Sequence, residues 1–198
     1  MRKEKMDLIK KYYEEYKTIN RVKEESGTFL KSEAYFITLN NGLIIKREKL
    51  LKGNKDGSAS IIIPITKEKE ILMVIEPRVF TKDTVAINFP AGYIEKDELP
   101  IESAKRELLE ETGYVSDDWI KIDSYYQDEG CSEAYNYIFL ALNCIKKMNQ
   151  NLDNDEITYP ILLNYEEVFE LEDMGYITGA NSKLALHKTK KLIERSLK

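Results

Sequence analysis

The sequence predicts an α/β fold in which helices flank a mixed β-sheet, preceded by a helix and a β-hairpin. Three observations predict it. Apolar residues at helical spacing open the chain, and an Asn-Gly turn between two strand-like runs follows. Short apolar strands then lie on both sides of one helix bounded by Pro100 and Gly113. Two more helical segments close the chain.

Residues 4–25 read as an amphipathic helix, with Ile9, Tyr12, Tyr16 and Ile19 at spacings of 3 and 4 and Gly27 closing it. Packing on its own domain is the simpler use of that face; helix-mediated dimerisation is the other. Residues 35–39 and 43–47 read as a hairpin whose Asn-Gly supplies the positive φ values of a type I′ turn. Gly53 to Gly57 is a polar linker. Residues 60–65 and 71–76 read as strands joined by the charged turn Lys67-Glu68-Lys69-Glu70. Residues 86–89 lead into Pro90-Ala91-Gly92, residues 119–126 and 134–142 continue the sheet, and 165–173 and 182–197 read as helices.

The segment from Gly92 to Tyr114 carries most of the chemistry. It reads Gly92, five residues, Glu98, seven residues, then Arg106-Glu107-Leu108-Leu109-Glu110-Glu111-Thr112-Gly113. At roughly 5–7% background per residue type, chance gives such a match on the order of once in a million chains of this length. Pro100 fits a first helical turn, where its missing N–H costs nothing. Gly113 fits the position that ends the helix. Between them Glu107, Glu110 and Glu111 share one face, being i, i+3 and i+4. Ile101, Ala104 and Leu108 form the adjacent apolar stripe. Like charges at this spacing cost a few tenths of a kcal/mol per pair. A hard divalent cation is the natural offset, since Mg²⁺ takes oxygen ligands from a few carboxylates, waters and phosphates. A solvated Glu-rich helix accounts for the Glu spacing but not for Gly92 and Glu98 in register with it.

This pattern resembles the signature of the Nudix hydrolases, which cleave a nucleoside diphosphate linked to another moiety. No signature position is missing. The resemblance implies a Nudix-type α/β/α sandwich, with residues 1–56 as an N-terminal extension and 57–198 as the hydrolase domain. It implies Mg²⁺ as cofactor, with Mn²⁺ as a substitute. By the same resemblance Glu107 and Glu111 are direct metal ligands, Glu110 is a ligand or a group bracing one, and the Ala91 carbonyl is a further candidate ligand. Arg106 orients a metal-face Glu by a salt bridge, Glu98 braces the loop, and Gly92 belongs to the substrate-binding set.

Further segments resemble the ADP-ribose pyrophosphatase subgroup: the N-terminal hairpin, Ile75-Glu76-Pro77-Arg78, Asn88-Phe89-Pro90-Ala91-Gly92, Gly130-Cys131-Ser132-Glu133, Asp153-Asn154-Asp155-Glu156-Ile157 and Gly175-Tyr176-Ile177-Thr178-Gly179-Ala180. The resemblance makes Glu156 the general base on the attacking water, with Asp155 and Asp153 as alternates. Arg78 is a candidate for phosphate or terminal ribose, a task its guanidinium fork suits. Glu133 is a candidate for substrate or metal contact. Two positions depart from the subgroup: Glu129 stands where a Pro is usual, and Asn88 where a Glu is usual. ADP-ribose is therefore the lead substrate, with GDP-mannose, UDP-sugars and FAD as alternatives. A nucleotide-binding regulator without catalysis is the reading from another class, and the intact Glu set argues against it.

Composition bounds these readings. The chain has 198 residues, with 30 Lys+Arg against 35 Asp+Glu and a net charge of −5. That balance argues against a nucleic-acid polymer as partner. Cys131 and Cys144 have no metal-ligand spacing, and the charged N-terminus does not read as a signal peptide, so a reduced, cytoplasmic protein is expected. No apolar run approaches the ~18 residues of a membrane span. His187, the only histidine, sits in the last helix with no nucleophile to pair with. A small nucleotide substrate and a homodimer, in which the extension reaches the partner, complete the expectation.

Overall fold

An eight-stranded mixed sheet organises the computed structural model, which describes residues 1–17, 20–23, 27–53, 55–154 and 156–196. Ile19 and Asp155, both named above, lie outside the described residues. In chain order the elements are helix α1 (Lys3–Glu15), strands β1 (Leu30–Thr38), β2 (Ile44–Lys52), β3 (Ala59–Thr66), β4 (Ile71–Pro77), β5 (Val85–Asn88) and β6 (Ala91–Tyr93), helix α2 (Pro100–Thr112), strands β7 (Tyr114–Val115), β8 (Asp118–Tyr126), β9 (Tyr135–Lys146) and β10 (Tyr159–Leu163), and helices α3 (Tyr165–Asp173) and α4 (Ala180–Ser196). The main sheet runs β10-β4-β3-β9-β7, with β5 on β4, β6 on β3 and β8 on β9. β3 and β9 are parallel and the other pairings are antiparallel.

The alternation of side chains along the central strands builds two cores. Ile61 and Ile63 of β3, Met73 and Ile75 of β4, and Ile138 and Leu140 of β9 face a core closed by Ile9 of α1, Val168 of α3 and Leu186 of α4. Ile62, Leu72, Phe139 and Ala141 face the other way, onto Ala104 and Leu108 of α2. Helices therefore cover both faces, which makes the α/β/α sandwich. The apolar stripe of α2 is what seats its acidic face: Leu108 is fully buried, and truncating it to Ala costs about 2–5 kcal/mol.

The N-terminal segment divides into two unlike parts. α1 ends at Glu15, well before Gly27, and the Thr84 hydroxyl caps the Tyr16 carbonyl at 3.2 Å. Ile9 is fully buried in the main core, Tyr12 stacks on Tyr159, and Lys5 lies 2.8 Å from Glu167 of α3. The β1–β2 hairpin instead stands away, with every residue of β1 exposed. Its turn differs from the type I′ expectation. Only Gly42 is left-handed (φ 81°), its N–H bonds the Leu39 carbonyl at 2.8 Å, and Leu39 N–H bonds the Leu43 carbonyl at 2.9 Å. A three-residue loop with a left-handed Gly fits the same sequence without forcing Asn41 to positive φ. β6, β7 and β10 add to the strands expected from the apolar runs. The first two have three and two residues, and β10 carries Pro160, which an edge strand tolerates.

Candidate active site

α2 begins at Pro100, with Glu102 accepting from the Leu99 N–H at 3.2 Å, and ends at Gly113 in the left-handed conformation (φ 76°). This registers Glu107, Glu110 and Glu111 along the floor of a cleft of about 790 Å³. Arg106 is the hub of the braces. Its Nε and Nη2 donate to the two oxygens of Glu98 at 2.9 and 3.0 Å, a bidentate pair. Nη1 donates to Glu107 at 2.6 Å and Glu110 at 3.1 Å, and Nη2 also donates to the Tyr93 carbonyl at 3.0 Å. Glu98, held by Arg106, is kept below the usual carboxylate range. Ala91 N–H donates to Glu111 at 3.1 Å. Gly92 is required for this closeness: a Cβ there would lie 1.9 Å from the Glu107 carboxyl.

Burial disfavours the charged form of the floor carboxylates. Burial pushes Glu107 up to about 7, with Arg106 opposing and Glu110 and Glu156 adding to the rise. Burial pushes Glu111 well above its usual range, with Glu76 and Glu107 adding to it. Glu76, 7% exposed, is raised by burial as well. The donor set is all oxygen, which fits a hard divalent cation. Among the described residues no three acidic groups converge on one point: Glu107 is drawn to Arg106 and Glu111 to Ala91 N–H.

The opposite wall comes from distant segments. Arg78 Nη2 lies 2.7 Å from Glu76, and Glu76 accepts from the Asn88 amide at 2.8 Å. Asn88 in turn accepts from Ser182 of α4 at 3.0 Å, and Ser182 accepts from Phe89 N–H at 3.1 Å. Glu156 lines the cleft and is near enough to raise Glu76, Glu107 and Glu111. Asp153 and Asn181 line it as well. The structure thus brings Ala91, Gly92, Arg106, Glu107, Glu110, Glu111, Arg78 and Glu156 to one cleft. It does not bring Glu133 there. That side chain is two-thirds exposed and pairs with Lys49 of the hairpin at 3.2 Å. Sequence reasoning missed Glu76, Asn88 and Ser182 as one chain of contacts, since nothing in their spacing joins residues 76, 88 and 182.

The NUDIX domain family matches residues 55–184. The chain belongs to the Nudix family. It is 30% identical over 173 residues to the ADP-ribose pyrophosphatase of Bacillus subtilis (strain 168), covering 87% of this chain and 91% of that protein. It is 33% identical over 161 residues to the methanol dehydrogenase activator of Bacillus methanolicus, covering 81% and 84%. Among solved structures, a crystal structure of an ADP compounds hydrolase matches with a TM-score of 0.72 at 19% identity over 89% of this chain and 93% of that one, a likeness of fold. This Nudix protein is therefore a hydrolase similar to ADP-ribose pyrophosphatase, of a family that acts on small nucleotides with divalent metals. No helix among its described residues is long and apolar enough to cross a membrane.

Proposed function

We propose that this Nudix hydrolase is Mg²⁺-dependent and cleaves ADP-ribose to AMP and ribose 5-phosphate, with Mn²⁺ as a substitute metal. The observation that carries the reading is the buried pair Glu107 and Glu111 on one helix face, lining one cleft with Glu156. Glu107, Glu111, Glu110 and the Ala91 carbonyl would hold the metal, which supplies charge neutralisation and polarises phosphorus when bound. Arg106 fixes the Glu107 and Glu110 carboxylates. Arg78, fixed by Glu76, binds the substrate's phosphate or terminal ribose. Glu156 takes a proton from the attacking water. The water oxygen bonds to one phosphorus, the bridging P–O bond breaks, and each product keeps one phosphate.

The relative from Bacillus subtilis supports ADP-ribose as the lead. Asn88, which holds Glu76 from behind the cleft wall, supports testing GDP-mannose, UDP-glucose and FAD beside it. A panel of these compounds with Mg²⁺ or Mn²⁺, with products identified by mass, decides the substrate. Preference for ADP-ribose with AMP as product is expected. Preference for another compound moves the substrate, and nucleotide binding without hydrolysis under any metal defeats the reading. The hairpin, with Phe36 80% and Ile44 62% exposed, supports a homodimer. A monomeric mass by light scattering at micromolar concentration rejects it.

A further inference from the structure

The chain just past β9 is stitched to the end of α2. Lys147 and Met148 N–H bond the Gly113 carbonyl at 2.8 and 3.2 Å, and Asn151 N–H bonds the Glu110 carbonyl at 2.9 Å. Gln150 Nε2 lies 2.5 Å from the Glu111 carbonyl. A helix leaves its last carbonyls without intrahelical donors, and this segment supplies donors to those of Glu110, Glu111 and Gly113. The approach is close enough that a Cβ at Gly113 would lie 2.1 Å from the Met148 carbonyl oxygen. Gln150 Nε2 also reaches the carbonyl and the hydroxyl of Thr158, at 3.0 Å each. The Thr158 hydroxyl points to the same Glu111 carbonyl at 3.4 Å. One carboxamide therefore fastens both ends of the acidic loop to the backbone of Glu111.

Glu156 sits on that loop. Its own contacts are local: its carboxylate accepts from Asp153 N–H at 3.3 Å, and its N–H bonds the Asp153 carbonyl at 3.1 Å. The placement of Glu156 over the cleft thus depends on where the loop is anchored.

We infer that Gln150 is a positioning residue, fixing the loop that carries Glu156 against the turn of α2 that carries Glu110 and Glu111. The inference rests on the reading of Glu156 as general base. The two N–H groups of Gln150 are spread over three acceptors, one of them shared, so its amide nitrogen is the operative group.

The test is a double-mutant cycle on ADP-ribose with Mg²⁺, using Gln150→Ala, Glu156→Gln and the pair. Gln150→Ala is expected to lower kcat ~10- to 100-fold with KM within about twofold. In the Glu156→Gln background the same change is expected to cost nothing further, because a residue that acts through another loses its effect when that partner is gone. Hydrogen exchange gives a readout apart from activity: the Asn151, Glu156 and Ile157 amides should exchange about tenfold faster in Gln150→Ala, with the α2 amides unchanged. If Gln150→Ala does not fold, Thr158→Val, which removes one acceptor at similar volume, enters the same cycle. Gln150→Ala at wild-type turnover beside an inactive Glu156→Gln overturns the role of Gln150 alone, as do losses that multiply in the pair. Glu156→Gln at wild-type turnover overturns the base assignment, and this role with it.

Discussion

The two walls of the cleft are built in opposite ways. The floor, from Gly92 to Gly113, is one continuous stretch whose geometry follows from helix period and two end signals. The facing wall joins the ends of β4 and β5, the first turn of α4 and the loop after β9, and Ser182 lies 94 residues from Asn88 in the chain. The floor holds the buried Glu107 and Glu111, and the wall sets the exposed Arg78 and Glu156 beside the buried Glu76. The signature residues thus lie in one local stretch, while the groups proposed to meet the substrate are brought together only by tertiary packing.

Breaking the floor should have the largest effect. Glu111→Gln keeps the shape of a buried side chain but removes the carboxylate proposed to hold the metal, and kcat on the best substrate should fall about 10³-fold. Steady-state kinetics with a melting curve to confirm folding checks this, and near-wild-type turnover would remove Glu111 from the site. Gly92→Ala comes next. With a Cβ 1.9 Å from the Glu107 carboxyl, that carboxylate must leave its place. A loss of about 10²-fold in kcat is expected, together with ~1–3 kcal/mol of stability from overpacking in urea unfolding.

Arg106→Lys tests the braces. A single ammonium cannot hold Glu98 in a bidentate pair and still reach Glu107 and Glu110. A drop of about tenfold in kcat, with KM little changed, is expected. On the facing wall the effect should be smaller and move to KM. Ser182→Ala loosens Asn88, then Glu76, then Arg78, and should raise KM by about two- to fivefold with kcat retained. An equal fall in kcat would show that the two walls are not separable. The hairpin gives the smallest effect on the protomer itself: Phe36→Ser should change folding stability by no more than about 0.5 kcal/mol. If the hairpin is the dimer contact, the same substitution should shift the mass in light scattering toward the monomer.

Legibility in the sequence follows the same division. α2 runs from Pro100 to Thr112, the stretch marked out by Pro100 and Gly113, because both signals act on their own backbone. The strands with continuous apolar runs, β3 and β4, were equally plain, since both their faces are buried. The type I′ turn was not, because Asn41-Gly42 fits two loop geometries and only the strand register chooses between them. The apolar spacing predicts a helix to residue 25, but α1 ends at Glu15, where the Thr84 hydroxyl bonds the Tyr16 carbonyl, a contact no local pattern signals; residues 18, 19, 24 and 25 lie outside the described residues. Glu133 carries a suggestive motif yet pairs with Lys49, a partner 84 residues away. Gln150 has no motif at all; its importance lies in three acceptors that folding brings to one amide.

The measurement that tests the central claim most directly is turnover of ADP-ribose by the purified chain, titrated with Mg²⁺ and then with a chelator. AMP and ribose 5-phosphate in equal amounts, a rate that saturates with Mg²⁺, and loss of activity on chelation are expected. Turnover that ignores the chelator, or nucleotide binding without turnover at any Mg²⁺ concentration, would contradict that claim.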